Sequence, residues 1–432
     1  MRLVPALTLA SAASAIVIPQ ALDEFNHLKN DIKHTLEELP SRIAGSVDEA
    51  VEHLSSEISN AVHKKLEEPV DHGHSTESPV DLLGLDLSDL TIWEILEKSN
   101  QTKEFFKLVG KHDKFGKLLN STDANYTLFA PIDEAFEHIP HDHKPSDEFV
   151  ESVLNYHLGL GEYPAGRILF THTLPTALNE PWLGGNAQRL RTSVGFNGVR
   201  VNVYSKVVVV NIKAKNGWIH AVNRILVPPP MIGRVISLFP VQFSTLLLAY
   251  DKTDFVKYVH NVKMNGSTVF APSNRAWESL GPKANAFLFN TETGKKYLTA
   301  LLKYQIVPNT TVYSDEIYYG DEETNKDGQT KTDGNFHIEL PTLLEKSLGV
   351  DIHTWKGWTS IVVNGAVAVD FEDGIGKNGV IHVVRSVPLP PCRKGRRPML
   401  AEGGIDVEEL KERLRPYVEG EEESEEWDEE EL

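Results

Sequence analysis

The chain of 432 residues has a single cysteine, Cys392. That count forbids any disulfide within the chain, so its folds must be held by packing and hydrogen bonds alone. Bases are also scarce, with 43 Lys and Arg against 62 Asp and Glu, for a formal net charge of -19. A chain this acidic lacks the clustered positive charge that sequence-independent nucleic-acid binding requires. Beyond residue 18 no apolar run is long enough to span a bilayer, and the polar C-terminus excludes the hydrophobic tail of a lipid-anchor signal. Catalytic signatures are missing as well: there is no Gly-x-Ser-x-Gly elbow, no P-loop, no Gly-x-Gly-x-x-Gly after a strand and no His-Glu-x-x-His. Cys392 lies beside Arg393-Lys394-Gly395-Arg396-Arg397, where an incidental surface thiol is preferred to a nucleophile or an interchain bridge. Neither His72-Gly73-His74 nor His141-Asp142-His143 supplies the four convergent ligands of a closed zinc site. The expectation is a protein with no cofactor, no metal and no catalytic residue.

What the sequence does contain is a phrase used twice. Tyr126-Thr127-Leu128-Phe129-Ala130-Pro131 returns as Ser267-Thr268-Val269-Phe270-Ala271-Pro272. In the same order, Val153-Leu154-Asn155-Tyr156-His157 answers to Leu301-Leu302-Lys303-Tyr304-Gln305, and Asn216-Gly217-Trp218-Ile219-His220-Ala221-Val222 to Asn378-Gly379-Val380-Ile381-His382-Val383-Val384. The offsets grow from 141 through 148 to 162, so the second repeat follows the same plan with longer loops. Units of this length own a core each, unlike the short repeats of a solenoid.

These three collinear motifs resemble the fasciclin (FAS1) domain family over roughly residues 86 to 391. That family has a Thr-(Leu/Val)-Phe-Ala-Pro strand, then a helix with an aromatic (here Phe136 and Trp277), a central Tyr-His pair, and a closing Asn-Gly-x-Ile-His-x-Val strand. The resemblance implies an α+β module of extracellular or cell-surface proteins, used in adhesion and matrix contact and without a recognised catalytic centre. It also implies a receptor-contact role for Tyr156 and His157. The second repeat departs from the pattern, since Gln305 follows Tyr304 where a histidine is expected.

The N-terminus, Met1-Arg2 with a Leu/Ala/Val-rich run to Ile18 and Ala13-Ser14-Ala15 as cleavage candidate, reads as a secretory signal peptide. Five Asn-x-Ser/Thr sequons, at Asn100, Asn120, Asn125, Asn265 and Asn309, then read as glycan sites on surface loops. Residues 22 to 68 carry apolar residues at helical spacing, broken by Pro40 and Gly45 into two amphipathic helices. Their stripe needs a domain face, a partner or a membrane surface, and the many acids on the polar face weaken the last. Asp71 to Pro79 reads as a linker. The twelve residues from Glu421 to Leu432 hold nine acids and no base, a solvated disordered tail ending in Glu-Glu-Glu-Leu, with calcium or basic-partner contact as the alternative.

Within the repeats, apolar spacing predicts helices over Leu90–Leu96, Phe105–Phe115, Asp133–His138 and Phe149–Tyr156, then Val235–Tyr250, Thr253–Val262 and Tyr297–Tyr304. Strands are expected at Thr127–Ala130, Val199–Val203, Lys206–Ile212 and Trp218–Leu226, and in the second repeat at Ile361–Val363, Ala366–Val369 and Val380–Val384. Asn216-Gly217, Asn364-Gly365 and Asn378-Gly379 read as turns, the first and last as type I′ with positive φ. Asp321 to Asn335 reads as an inserted loop, and Val407 to Leu414 as a short helix. Helices early and strands late in each unit favour an α+β wedge of antiparallel strands with helices packed on it. The expected domains are 1–18 signal peptide, 19–85 helical segment and linker, 86–229 and 230–391 FAS1 modules, and 392–432 basic hinge and acidic tail.

Phe129, Pro131, Phe270, Pro272, Tyr304, His220 and His382 are read as fold-determining, each histidine as a buried imidazole bonded to backbone. The functional reading is a secreted, N-glycosylated binding protein that contacts cell-surface, matrix or cell-wall components, two modules gaining avidity. The alternatives are a carrier of a lipid or other apolar ligand, an enzyme acting on polysaccharide, and residence in an endomembrane compartment.

Overall fold

A computed structural model describes residues 87–137, 145–195, 198–315, 334–355, 358–391 and 404–418. The signal-like N-terminus, the amphipathic pair, the linker, His141 to His143, Cys392 and the acidic run lie outside the described residues.

The first repeat begins at Thr91, whose hydroxyl accepts from the Glu94 N–H while the Glu94 carboxylate accepts from the Thr91 N–H. This capping box starts α1 (Ile92–Lys98) and fixes its register. Helices α2 (Lys103–Val109) and α3 (Asp113–Asn120) follow. Their apolar stripes, Ile92, Ile95, Leu96, Phe105, Val109, Phe115 and Leu119, are buried together with Leu128, Leu154 and Ile219. The remaining elements are β1 (Tyr126–Pro131), α4 (Asp147–Tyr156), β2 (Leu158–Leu160), α5 (Ala165–Ile168), β3 (Thr173–Asn179), β4 (Ala187–Gly195), β5 (Gly198–Val201), β6 (Ser205–Ala214) and β7 (Gly217–Val222). The seven strands pair in sequence order and close into a barrel.

The second repeat has helices α6 (Ile232–Ser237), α7 (Pro240–Lys252) and α8 (Phe255–Asn261), then β8 (Ser267–Pro272), α9 (Asn274–Leu280), α10 (Pro282–Asn290), α11 (Glu292–Tyr304) and β9 (Ile306–Pro308). Its closing strands are β10 (Gly334–Pro341), β11 (Ser347–Trp355), β12 (Trp358–Val363), β13 (Val367–Gly376) and β14 (Gly379–Val384). The strand order β10-β11-β12-β13-β14-β8-β9 is the circular order of the first repeat. Its one seam without a ladder, between β9 and β10, is bridged by the Leu343 N–H donating to Ile306 O at 2.9 Å. Helix α12 (Val407–Leu414) forms where the pattern predicts it, and Ile405 N–H ties its approach to Leu280 O at the end of α9.

The chain is thus two tandem α+β modules with matching topology. The buried clusters that run from Ile92 to Ile219 and from Phe129 to Leu226 draw only on the first, so that interior belongs to one module.

Several details differ from the sequence reading. Every strand pair but one in each repeat is antiparallel; β1 runs parallel to β7, and β8 to β14. Parallel partners need a long crossover, here nearly the whole repeat, so no local hairpin signal announces them. Val235–Tyr250 is not one helix: Pro240 cannot continue α6 and pushes Phe239 out of helical geometry (φ -119°, ψ 58°). Asp133–Phe136 is a single 3-10 turn. Asn202 and Val203 take positive φ and end the strand expected to reach Val203. Gly334 and Asn335 begin β10 and so leave the inserted loop.

Phe129 is fully buried. Phe129→Ala is expected to cost roughly 3–5 kcal/mol and to melt the first module while the second retains its amide protection, read by hydrogen exchange.

Candidate functional site

The duplicated motifs meet at one place in each repeat, the parallel seam. Phe129 faces His220 in register on β1 and β7, their rings stacked with centroids 5.5 Å apart; Phe270 and His382 repeat this at 5.5 Å. Each histidine uses both ring nitrogens. His220 Nε2 meets Tyr163 O at 2.8 Å and its Nδ1 accepts from the Asn211 N–H; His382 Nε2 meets Val312 O at 2.7 Å and its Nδ1 accepts from the Asp373 N–H. The threonine of each motif anchors the same loop. Thr127 Oγ1 donates to Gly161 O and accepts from Tyr163 N–H, as Thr268 Oγ1 does with Thr310 O and Val312 N–H.

The Asn-Gly pairs at the seam are not type I′ turns. Gly217 has φ 144° and Gly379 φ 145°, whereas neither Asn216 nor Asn378 has positive φ. Glycine is required because a Cβ on Gly217 would lie 1.8 Å from Tyr126 O, and on Gly379 2.0 Å from Ser267 O. Asparagine is required for its side chain: buried Asn216 accepts from Ile92 N–H at 2.9 Å and donates to Leu119 O and Ser121 O, binding helices to sheet. Asn378 accepts likewise from Ile232 N–H at 2.9 Å. The type I′ geometry occurs instead at Asn364-Gly365, φ 51° and 63°.

Tyr156 and His157 are both fully buried and their polar atoms are used inside the module. The Tyr156 hydroxyl donates to Arg189 O and accepts from Asn202; Tyr304 does the same with Ser347 O and Asn364. His157 Nδ1 donates to Val153 O at 2.7 Å and Nε2 accepts from Leu226 N–H at 2.9 Å. This pairing explains Gln305. At the offset of the closing motif Leu226 corresponds to Pro388, which has no N–H to give, so an imidazole acceptor has nothing to bind there. Gln305 Nε2 is buried without a side-chain partner. Contact between a receptor and Tyr156 or His157 therefore requires the segment to open.

Two polar positions that the sequence reading passed over lie at bulges nine residues before the strand histidines. Asn211 and Asp373, at φ 61° and 59°, turn their side chains onto the loop anchored by Thr127 or Thr268, Asn211 accepting from Ala165 N–H and Asp373 from Ser314 N–H and hydroxyl. Their equal spacing from His220 and His382 is the signal that would have found them.

The larger omission is the surface between the repeats. Asp315, just past this loop in the second repeat, accepts from His172 N–H (2.9 Å), Thr173 N–H (2.7 Å) and the Thr173 hydroxyl (2.7 Å) of the first. Arg189 and Arg191 of β4 reach across and lie over the Tyr313 and Phe371 rings at 4.4 and 4.3 Å, Arg191 donating to Glu372 O. Gln188 donates to Gly376 O, and Gly266 N–H to Trp182 O. Burial, then the neighbouring Asp373 carboxylate, push the Asp315 carboxyl above its ordinary range against the pull of the Thr173 bonds and Arg189.

The five sequon asparagines are all exposed. Among the described residues no cluster of three His, Cys, Asp or Glu is arranged to hold a metal, and no helix is long and apolar enough to cross a membrane.

Burial holds His157 and His220 down to about 4, since desolvation of the imidazolium outweighs the carbonyl bond each makes. The unfolded chain takes up these protons near 6.5, so their contribution is full above that pH and is lost as pH falls toward 4, by about 3 kcal/mol each at most. Gln keeps an acceptor for Leu226 N–H, so His157→Gln is expected to flatten the acid limb of a stability-versus-pH curve between 6.5 and 4. Asp315→Ala removes the acceptor of two partly buried N–H groups and is expected to weaken coupling between modules by roughly 1–3 kcal/mol, separating their calorimetric transitions.

The Fasciclin domain family matches this chain twice, at residues 100–228 and 241–390. Aurofusarin biosynthesis cluster protein S of Gibberella zeae is 27% identical over 357 residues, 77% of this chain and 87% of that protein. Human periostin is 27% identical across 62% of this chain, and Fasciclin-1 of Schistocerca americana 26% identical across 67%. The chain spans only 29% of periostin's length and 41% of Fasciclin-1's. A solved FAS1 domain pair from the insect cell adhesion molecule Fasciclin I is 18% identical, covering 66% of this chain and 96% of its own, with a TM-score of 0.34. With two matches that together span more than half its residues, this chain belongs to the fasciclin domain family.

Proposed function

We propose that the protein is a secreted, non-catalytic binding protein that joins cell-surface, matrix or cell-wall components through its two FAS1 modules. The observation that carries this reading is the pairing of two fasciclin modules in one chain, in a family whose members include adhesion proteins. The internal chemistry agrees with it: the motif histidines, tyrosines and threonines spend their polar atoms on backbone, leaving no poised acid, base or nucleophile at the seam. Work is left to the outer surfaces, where two tethered modules gain avidity from weak contacts. The apolar-carrier reading has less support, since the gap between helices and sheet in the second module, lined by Phe239, Phe243, Phe371 and Ile381, measures about 10 Å³. That is room for at most one water.

The Gibberella zeae relative, of which this chain covers 87%, bears the name of a biosynthesis-cluster protein. This favours a second reading, in which the same surfaces hold partner proteins of a small-molecule pathway.

Fractionation of cells and medium, with glycosidase treatment of the recovered protein, is expected to place it in the medium, membrane or wall fraction with a mobility shift. A cytosolic, unglycosylated product contradicts secretion. Beads coated with the recovered protein are expected to capture the producing cells above the level of albumin-coated beads; equal capture contradicts adhesion.

A further inference from the structure

The second module carries two large aromatic side chains at one exposed hairpin. Trp355 ends β11 and Trp358 begins β12; they are direct cross-strand partners and stand 51% and 57% exposed. The equivalent ladder end in the first module, on β4 and β5, is formed by Gly195 opposite Gly198, so this hairpin closes without aromatics. Exposed tryptophans are disfavoured in water unless something covers them.

The residues beside the pair say what covers it. Side chains opposite one another in a ladder share a face, and the next row on that face is Asn335, His353 and Ser360, from β10, β11 and β12. All three are exposed. His353 Nδ1 meets Asn335 Oδ1 at 2.8 Å, which orients the imidazole and the amide at an exposed position. These groups and the tryptophans line an open hollow of about 670 Å³, within the range of small-ligand sites. One row further, His337 bonds Asp351 at 2.6 Å with Glu339 beside it, so the face continues with carboxylates.

We propose that this hollow is a binding site for neutral polysaccharide. Sugar rings present C–H faces that stack on indole, and their hydroxyls match a row of amide, imidazole and hydroxyl groups. Charge selects among the surfaces an exposed tryptophan pair can enter. No lysine or arginine is among the described residues that line the hollow, and the carboxylates of Asp351 and Glu339 stand further along the face on His337, so a polyanionic glycan or anionic lipid finds no counter-charge there, which leaves an uncharged polymer as the occupant. In the first module the positions of His353 and Ser360 are Ser193 and Arg200, so the site belongs to the second alone.

This assignment rests on the adhesive reading and names its partner. The test is co-sedimentation of the full secreted protein with cellulose, chitin, insoluble mannan and β-glucan particles, with phosphatidylcholine vesicles and an acidic glycan in parallel. A soluble oligomer of the retained polymer is then titrated while tryptophan fluorescence is followed. Retention by at least one neutral polymer is expected, with a blue-shifted emission. Trp355→Ala/Trp358→Ala is expected to raise Kd at least tenfold with Tm unchanged, because both side chains are more than half exposed; Asn335→Ala/His353→Ala is expected to weaken binding without abolishing the fluorescence shift. Retention by none of the neutral polymers, retention by vesicles or the acidic glycan alone, or equal retention of the tryptophan variant overturns the assignment. If coated beads still capture cells under any of those outcomes, the hollow is wrong and the adhesive reading stands. If the polymer binds and the beads capture nothing, the adhesive reading fails by itself.

Discussion

The fold of each module depends on how closely two strands that are distant in sequence approach. β1 and β7 lie side by side in parallel, and at the start of that pairing the chain leaves no room for a Cβ: Gly217 sits against the Tyr126 carbonyl, and Gly379 against Ser267. The asparagine before each glycine converts the contact into a joint by accepting the first N–H of a helix, Asn216 from inside the core and Asn378 from a half-buried position. Thr127 and Thr268 hold the next loop, and the stacked Phe–His pairs fill the seam above it. With no disulfide available, this joint does the closing work a sulfur bridge performs elsewhere, and it appears in both halves with the same residue types.

Once the motifs are seen as joint and filling, function moves outward. Buried neutral histidines, each with one nitrogen donating and one accepting, specify a unique arrangement of backbone and offer a ligand nothing. The modules are then fixed to each other by a polar clamp, Asp315 on backbone N–H groups of the first repeat and two arginines of β4 over rings of the second. A fixed pair presents its outer faces at a set separation, which is the condition for two weak contacts to act together.

Much of this was legible. The helices of the first repeat follow from apolar spacing, and the repeated phrases identify the seam because they are its residues. The middle strands were not legible, for a physical reason. In β4 only Leu190 of the buried face is apolar, set between Gln188 and Thr192, while Arg189 and Arg191 on the other face lie over rings of the second module, so the strand shows no apolar alternation. In β10 the alternation of Phe336, Ile338 and Leu340 with Asn335, His337 and Glu339 was present but lay beside a polar insertion that masked it. The hairpins at Asn216-Gly217 and Asn378-Gly379 form as expected, closing Ala214 against Gly217 and Gly376 against Gly379; their type was misread because sequence does not show the neighbouring chain that excludes a side chain. Asp315 carries no local pattern at all; its role exists only when the second repeat is set against the first.

The most direct measurement compares two alanines. Gly217→Ala meets a carbonyl in the seam, whereas Gly365→Ala, at φ 63° in a turn with nothing within 4 Å, bears only the conformational cost of about 1 kcal/mol. By hydrogen exchange, Gly217→Ala is predicted to abolish protection across the first module and spare the second, with Gly365→Ala near wild type throughout. If Gly217→Ala is as mild as Gly365→Ala, the close approach of β1 and β7 is not what closes the module.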